Sequence, residues 1–352
     1  MSTFKFKQIL GACLIGFLAY VILICCAEFA CGILNKARKN QLKESSGFSQ
    51  SLYSVDPVIG YKPKPNTETF AFKEVSAKPL YRVKYTTDTY SRRIAPMGNP
   101  EIRDKFILFF GGSIPFGEGV NDEVTLPAFM ARFASEYYPY NYSCSGYGPQ
   151  EMLAHLGRPE FKKEISQKDG VAIYFLHDGD VSRAIGSMVI YNAWGRTMPY
   201  YQLRDGQLIR RRDFRTGRPW LSRFYSFLGK SQILKYFKID LPPRIRFSDV
   251  KLVAKILERS RDLFKEKFKS NNFFVIILPE QKKLGPKIIP YFKTAGIQYL
   301  DYSSWNLTEK GLRMEYDGHP TPKGYALMAG KLATDLKILK PEKINQNNKN
   351  VL

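Results

Sequence analysis

The sequence predicts an α/β protein: a three-layer α/β/α sandwich on a central parallel sheet of about five strands, preceded by one N-terminal transmembrane helix. Three observations predict it. Phe106-Ile107-Leu108-Phe109-Phe110 is apolar at every position, as in a strand covered on both faces. Further short apolar runs recur down the chain with helix-length segments between them, the pattern of parallel strands joined by helical crossovers. And from Ile9 to Ala27 there is no charged residue.

That last stretch is long enough to cross a bilayer, which takes about 20 apolar residues as a helix. Residues 1–34 therefore read as a retained signal anchor. A cleaved signal peptide is the rival reading, with Lys5 and Lys7 as its basic start. Against it, Ala27-Glu28-Phe29-Ala30 lacks the small-x-small spacing of a cleavage site, and Cys25 and Cys26 lie in no lipoprotein box. The positive-inside count sets Lys5, Lys7 and the terminal amine against Lys36, Arg38, Lys39 and Lys43, which leans slightly toward a cytoplasmic main domain.

Residues 35–50 are polar and end in Glu44-Ser45-Ser46-Gly47, so they read as a tether. Residues 51–104 are punctuated by Pro57, Pro63, Pro65, Pro79 and Pro96 and read as an irregular β lead-in, with 82–87 alternating like a half-buried strand. The main domain is assigned to 105–340. After the first strand a helix is expected from about Thr125 to Tyr138, then a second strand near Tyr140–Cys144. Pro149 suits the first turn of the next helix. Further strands are expected at Val171–Leu176, Phe273–Leu278 and Ile297–Leu300. A helix capped by Ser248 runs to about Phe268, and another covers about Pro286–Thr294. Tyr325, Met328, Ala329, Leu332, Leu336 and Leu339 fall on one face of a final helix. Residues 183–247, with Arg210-Arg211-Arg212 and an exposed-looking Tyr200-Tyr201, break the alternation. They read as an insertion, either a lid or partner surface or a plain structured excursion. Residues 341–352 form a polar tail.

An apolar content of 44% excludes a disordered chain. The net charge of +22 is spread along the whole length without a nucleic-acid-binding motif. Anionic lipid or an acidic glycan explains it as well as solvated surface charge does, and no nucleic-acid partner is expected. Four of the five cysteines flank or occupy the apolar helix, leaving Cys144 alone in the domain as a buried small side chain.

In an open parallel sheet, ligands bind at the carboxyl ends of the strands. Ser113 follows the first strand at Gly111-Gly112-Ser113. A serine nucleophile needs a base, and the base needs a group to hold its tautomer. The chain has three histidines. His155 lies inside a helix and reads as structural. His177 follows the third strand with no orienting carboxylate ahead of it. His319, in Tyr316-Asp317-Gly318-His319-Pro320, has Asp317 beside it.

These segments resemble the SGNH (GDSL-like) hydrolase superfamily. Residues 110–120 look like its first block, and the Gly-Gly-Ser form is similar to its membrane-anchored bacterial members. Residues 141–150 look like the second block, with Gly146 as its glycine. Asp317-Gly318-His319-Pro320 looks like the last block, and Asp56-Pro57-Val58-Ile59-Gly60-Tyr61 is similar to the lead-in seen before such domains. The resemblance spans roughly residues 51–340. It implies a flavodoxin-like sandwich and a Ser-His-Asp mechanism without cofactor or metal. Ser113 would be the nucleophile, His319 the base and Asp317 its orienting carboxylate, with the N–H groups of Ser113 and Gly146 holding the oxyanion. Two departures stand out. The third block's asparagine has no counterpart in Leu176-His177-Asp178-Gly179-Asp180, which leaves His177 as a substitute donor, or the backbone alone, or weak activity. And D-x-H replaces the commoner D-x-x-H, a spacing similar to that of polysaccharide O-acetyltransferases of the superfamily.

The expectation is thus a membrane-anchored esterase or O-acyltransferase acting on an acylated envelope glycan or lipid, with a membrane acyl-donor protein as partner if it transfers. By the resemblance, the protein is a single-pass inner-membrane one with its domain on the extracytoplasmic side. The competing expectation is a catalytically inactive module that binds envelope glycan or assists its assembly; the missing asparagine favours it, and the intact Ser113, Asp317 and His319 oppose it.

Overall fold

The computed structural model describes residues 3–42, 44–76 and 78–339. The chain opens with helix α1 (Thr3–Leu42). Within its span Ile9–Asn40 the most apolar stretch has a mean hydropathy of 2.7 and buries nothing against the rest of the protein, so the helix is long and apolar enough to cross a membrane.

The expected tether is not one. The helix continues through Lys36–Lys39, whose long side chains favour helix, and β1 (Glu44–Phe48) follows it. β1 is satisfied by pairing antiparallel with β4 (Glu68–Val75), which pairs with β5 (Lys78–Thr86). Between them, β2 (Tyr53–Asp56) and β3 (Gly60–Pro63) form a hairpin. The lead-in is therefore regular. Its prolines sit at strand ends and in turns, and its inner face packs Leu52, Ala71 and Tyr85 on Phe116 of the main domain.

The central sheet comprises β6 (Lys105–Gly111), β7 (Tyr137–Asn141), β8 (Asp169–Leu176), β11 (Phe273–Ile277) and β12 (Gln298–Asp301). All four pairings are parallel, in the order β12-β11-β8-β6-β7. Counting these strands along the chain, the order is 2-1-3-4-5, the flavodoxin-like arrangement, with its switch point between β6 and β8. The one-turn helix α2 (Ser113–Phe116) follows β6 directly. Helices α3 (Leu126–Phe133) and α12 (Pro322–Asp335) cover one face, packing Phe129, Met130, Met328 and Leu332 on Ile107, Phe109, Ile173 and Phe175. On the other face, α4 (Pro149–Gly157), α10 (Phe247–Phe268) and α11 (Gly285–Ala295) pack on Phe106, Leu108, Phe110 and Tyr174.

Several boundaries differ from expectation. The helix expected to reach Tyr138 stops at Phe133, because Tyr137 onward is held in β7 by β6. Ser248 does not cap α10; Asp249 does, its carboxylate accepting the Arg246 N–H at 2.8 Å. The last helix ends at Asp335, so Leu336 and Leu339 lie beyond it, and Leu339 is exposed.

The insertion is folded. It holds α5 (Asp180–Ile185), α6 (Met188–Ala193), a hairpin of β9 (Pro199–Arg204) and β10 (Gln207–Asp213), then α7 (Phe214–Gly217), α8 (Pro219–Leu228) and α9 (Gln232–Tyr236). Met188, Tyr191, Met198, Phe214 and Tyr225 give it a small core of its own. Tyr201, expected on the surface, is buried against the main core. The polar tail, 341–352, lies outside the described residues.

Candidate active site

Ser113 is the first residue of α2, at the carboxyl end of β6 and beside β8, where the sheet order reverses. Its backbone N–H belongs to the first turn of a helix, which leaves it without an intrahelical acceptor. The turn after α2 needs Gly117: its φ is +87°, its N–H returns to the carbonyls of Ser113 and Ile114, and a β-carbon there would lie 2.5 Å from Thr125.

His319 arrives from the loop between β12 and α12. Met314 N–H donates to the His319 carbonyl at 2.9 Å and Gly318 N–H to the Met314 carbonyl at 3.1 Å, closing that loop on itself. The loop thereby brings Asp317 and His319 into line with Ser113, 206 residues before His319. Ser113 Oγ lies 2.7 Å from His319 Nε2, and His319 Nδ1 is hydrogen-bonded to Asp317 Oδ1. With Nδ1–H donating to the carboxylate, Nε2 is the lone-pair atom that faces the serine. Asp317 is almost fully buried, and its second oxygen accepts from Lys73 Nζ at 2.7 Å.

The charges around the imidazole set its basicity. Burial penalises the imidazolium, but the Asp317 hydrogen bond and the Glu118 and Asp317 charges outweigh that, so His319 titrates above the ordinary histidine value. Burial likewise acts against the Asp317 carboxylate, and its hydrogen bonds to His319 and Lys73 overcome it, holding its pKa far below the carboxylate range. Glu118 Oε2 sits 4.0 Å from His319 Nε2 and accepts from Ser145 Oγ at 2.5 Å.

A cavity of about 230 Å³ opens beside the serine. Phe175, Leu278, Ile114 and Pro115 supply its apolar wall; His177, Arg183, Gln281 and Arg313 supply its polar wall. His177 Nδ1 accepts the Gly179 N–H at 2.8 Å, which leaves Nε2 to carry the hydrogen of the neutral ring. Burial lowers the His177 pKa, so near neutrality the ring is an uncharged donor. Arg183 is held by the Tyr147 carbonyl at 3.0 Å and Asp180 at 2.9 Å, and its guanidinium lies against Gly112.

Gly146 stands in the turn after β7 and does not line this cavity. Its φ is +86°, and a β-carbon would lie 2.5 Å from the Tyr61 hydroxyl and 2.7 Å from Trp194 Nε1, so the lead-in and the insertion both close on this turn. Its N–H makes no hydrogen bond among the described residues. His155 is buried in α4 among Phe110, Tyr142 and Tyr147, as expected of a structural residue. Cys144 is buried and unpaired. Among the described residues, no cluster of three His, Cys, Asp or Glu side chains could hold a metal.

Lys73, Glu118 and Arg183 were not singled out from the sequence. Glu118 lies within the first motif, five residues past the serine, and could have been found there. Lys73 and Arg183 carry no local signal, since each reaches the site only through its fold contacts.

No family model matches the chain, and no curated protein sequence matches it. Over about two thirds of its length it is similar to solved lipolytic proteins of the G-D-S-L family and to solved esterases. One is a member of the lipolytic protein G-D-S-L family from Veillonella parvula, at 14% identity over 66% of this chain and 97% of that one, TM-score 0.38. Another is an acetyl xylan esterase from Butyrivibrio proteoclasticus, at 13% identity over 68% and 65%, TM-score 0.39. A third is a carbohydrate acetylesterase from Sinorhizobium meliloti, at 10% identity over 66% and 98%, TM-score 0.36. The likeness is one of fold.

Proposed function

We propose that this chain is a membrane-anchored serine esterase or O-acyltransferase that acts on an acyl ester of an envelope glycan or lipid through Ser113, His319 and Asp317. The observation that carries the reading is the unbroken line Ser113 Oγ–His319 Nε2, 2.7 Å, and His319 Nδ1–Asp317 at the switch point of the sheet. Asp317 holds the tautomer that leaves Nε2 free to accept a proton. Ser113 Oγ attacks the ester carbonyl as its proton passes to Nε2, and the carbonyl oxygen becomes an oxyanion. The Ser113 N–H at the start of α2 receives it, and the Nε2–H of His177 stands in for the absent asparagine. Collapse breaks the ester C–O bond, and the leaving alcohol takes the proton from His319. Water or a sugar hydroxyl then resolves the acyl-enzyme by the reverse sequence; transfer would require an acyl-donor partner in the membrane. The cavity of about 230 Å³ suits a short acyl group such as acetyl. Helix α1 supports anchoring by its length and apolarity, and an extracytoplasmic domain is the placement implied by the resemblance to envelope O-acetyltransferases.

The test is covalent labelling of the detergent-solubilised full chain by a fluorophosphonate, beside Ser113→Ala and His319→Ala. Labelling of the parent and neither variant is the expected result. A folded parent that does not label would overturn the enzymatic reading in favour of a glycan-binding module.

A further inference from the structure

The insertion carries an apolar surface that the proposed chemistry does not use. In α8, Trp220, Phe224 and Phe227 are spaced four and three residues apart, so they share one helical face with Leu221 beside them. That face is bare: Trp220 is 78% exposed and Phe227 72%. The opposite face is anchored. Tyr225 is buried in the core of the insertion, and Ser222 Oγ donates to the Phe214 carbonyl at 2.7 Å. Exposed aromatics on a rigidly held helix mark a surface that meets another apolar phase. Next to them lies a groove of about 430 Å³ lined by Arg215, Arg223 and Lys230. Aromatic side chains beside cations are the composition of a helix lying in a membrane interface, where the rings enter the acyl boundary and the cations meet phosphate.

The second observation is where this helix is held. Helix α9, three residues past α8, is clamped on α1. Glu28 accepts from the Ser231 hydroxyl and from the Gln232 N–H at 2.6 Å. Asn35 Nδ2 donates to the Gln232 carbonyl at 3.0 Å, and Arg38 to that of Tyr236 at 3.2 Å. Helix α9 thus runs along α1 from the Glu28 level toward Arg38, about 15 Å farther from the uncharged stretch at 1.5 Å per residue. The chain enters this clamp from α8, so the aromatic face is delivered at the end of α1 where its apolar stretch stops.

We propose that α8 is a second membrane contact: its Trp220/Phe224/Phe227 face inserts into the interface of an anionic phospholipid bilayer, with Arg215, Arg223 and Lys230 on the headgroup phosphates. The contact rests on the reading of α1 as an anchor. Its consequence is to fix the tilt of the catalytic domain. The core of the insertion joins α8 to α6, and Trp194, just past α6, donates to the Gly146 carbonyl at 3.1 Å, so the membrane contact and the turn beside the serine belong to one packed unit.

The test uses the full chain reconstituted into vesicles of phosphatidylcholine and phosphatidylglycerol, with and without bromine on the acyl chains. Trp220 emission is taken as the difference between the parent and Trp220→Phe. Brominated chains should quench it, aqueous iodide should not, and Phe224→Asp with Phe227→Asp should reverse both results while leaving the protein resistant to alkaline carbonate. Carbonate-resistant protein whose Trp220 remains open to iodide would overturn the second contact alone. Trp220 shielded from iodide yet unquenched by bromolipid, with cross-linked dimers, would assign the face to a second copy and also overturn the proposal. Release of the parent by carbonate would refute the anchor, and the α8 contact with it.

Discussion

Lys73 and Asp317 are 244 residues apart in sequence and 2.7 Å apart in space. The lysine lies on β4 with the inward-facing Thr69 and Ala71, and it closes a relay of Lys73, Asp317, His319 and Ser113. A cation on the far side of the carboxylate lowers the basicity of the imidazole, while Glu118 raises it. The lead-in sheet thereby contributes to the electrostatics around His319.

The two charges predict opposite shifts in the pH dependence of serine reactivity. The base must be neutral, so the rate falls as pH drops through the raised His319 pKa. Lys73→Met removes a charge that disfavours imidazolium and should move this limb to higher pH. Glu118→Gln removes one that favours it and should move the limb lower. The rate of fluorophosphonate labelling against pH measures both; shifts of the same sign would refute the assignment.

Asp317 should also leave a mark on stability. Its depressed pKa contributes stability that is present above the unfolded value, about 3.9, and is lost as pH falls toward the folded one. His319, with a raised pKa, contributes stability fully present below about 6.5 and lost as pH rises through its folded value. Asp317→Asn should therefore lower Tm most between about pH 4 and pH 6.5, and thermal melts across that range would show it. A pH-independent deficit would count against the coupling.

Arg93 should be the costliest surface-remote substitution near the site. Its side chain is fully buried; Nε donates to Asp122 at 2.9 Å, and the guanidinium also reaches the carbonyls of Phe116 and Val120 at 3.1 and 2.6 Å. Arg93→Met leaves Asp122 buried without its partner and should cost about 3–5 kcal/mol in denaturant unfolding. The double variant with Asp122→Asn should recover part of that loss, and strict additivity would argue against a coupled pair.

His177 is the donor offered in place of the missing asparagine. His177→Phe should slow ester turnover by about 10²–10³, the usual cost of one oxyanion donor. His177→Gln, which keeps an N–H, should retain more activity than the phenylalanine variant. Equal rates in both would remove His177 from the chemistry.

Much of the architecture was legible because it is local. The unbroken apolar run of β6 announced a strand buried on both faces, and the glycines after it marked the turn that presents Ser113. The regularity of the lead-in was not legible. Its prolines read as interruptions, and only pairing with β4 shows that β1, through the polar Glu44-Ser45-Ser46, is a strand. Asp249 rather than Ser248 capping α10, and the early end of α3, are choices that packing made between neighbouring options.

The sequence by itself determined the strand–helix alternation and the anchor-length helix and put Ser113, Asp317 and His319 forward as candidates, since each rests on residue patterns within a few positions. Tertiary structure decided the rest. Lys73 reaches Asp317 only because the β1-β4-β5 sheet docks on α2 through Phe116, and Arg183 reaches Gly112 only because α5 begins where β8 ends. No local period records such meetings, because they depend on how separately encoded elements pack in three dimensions.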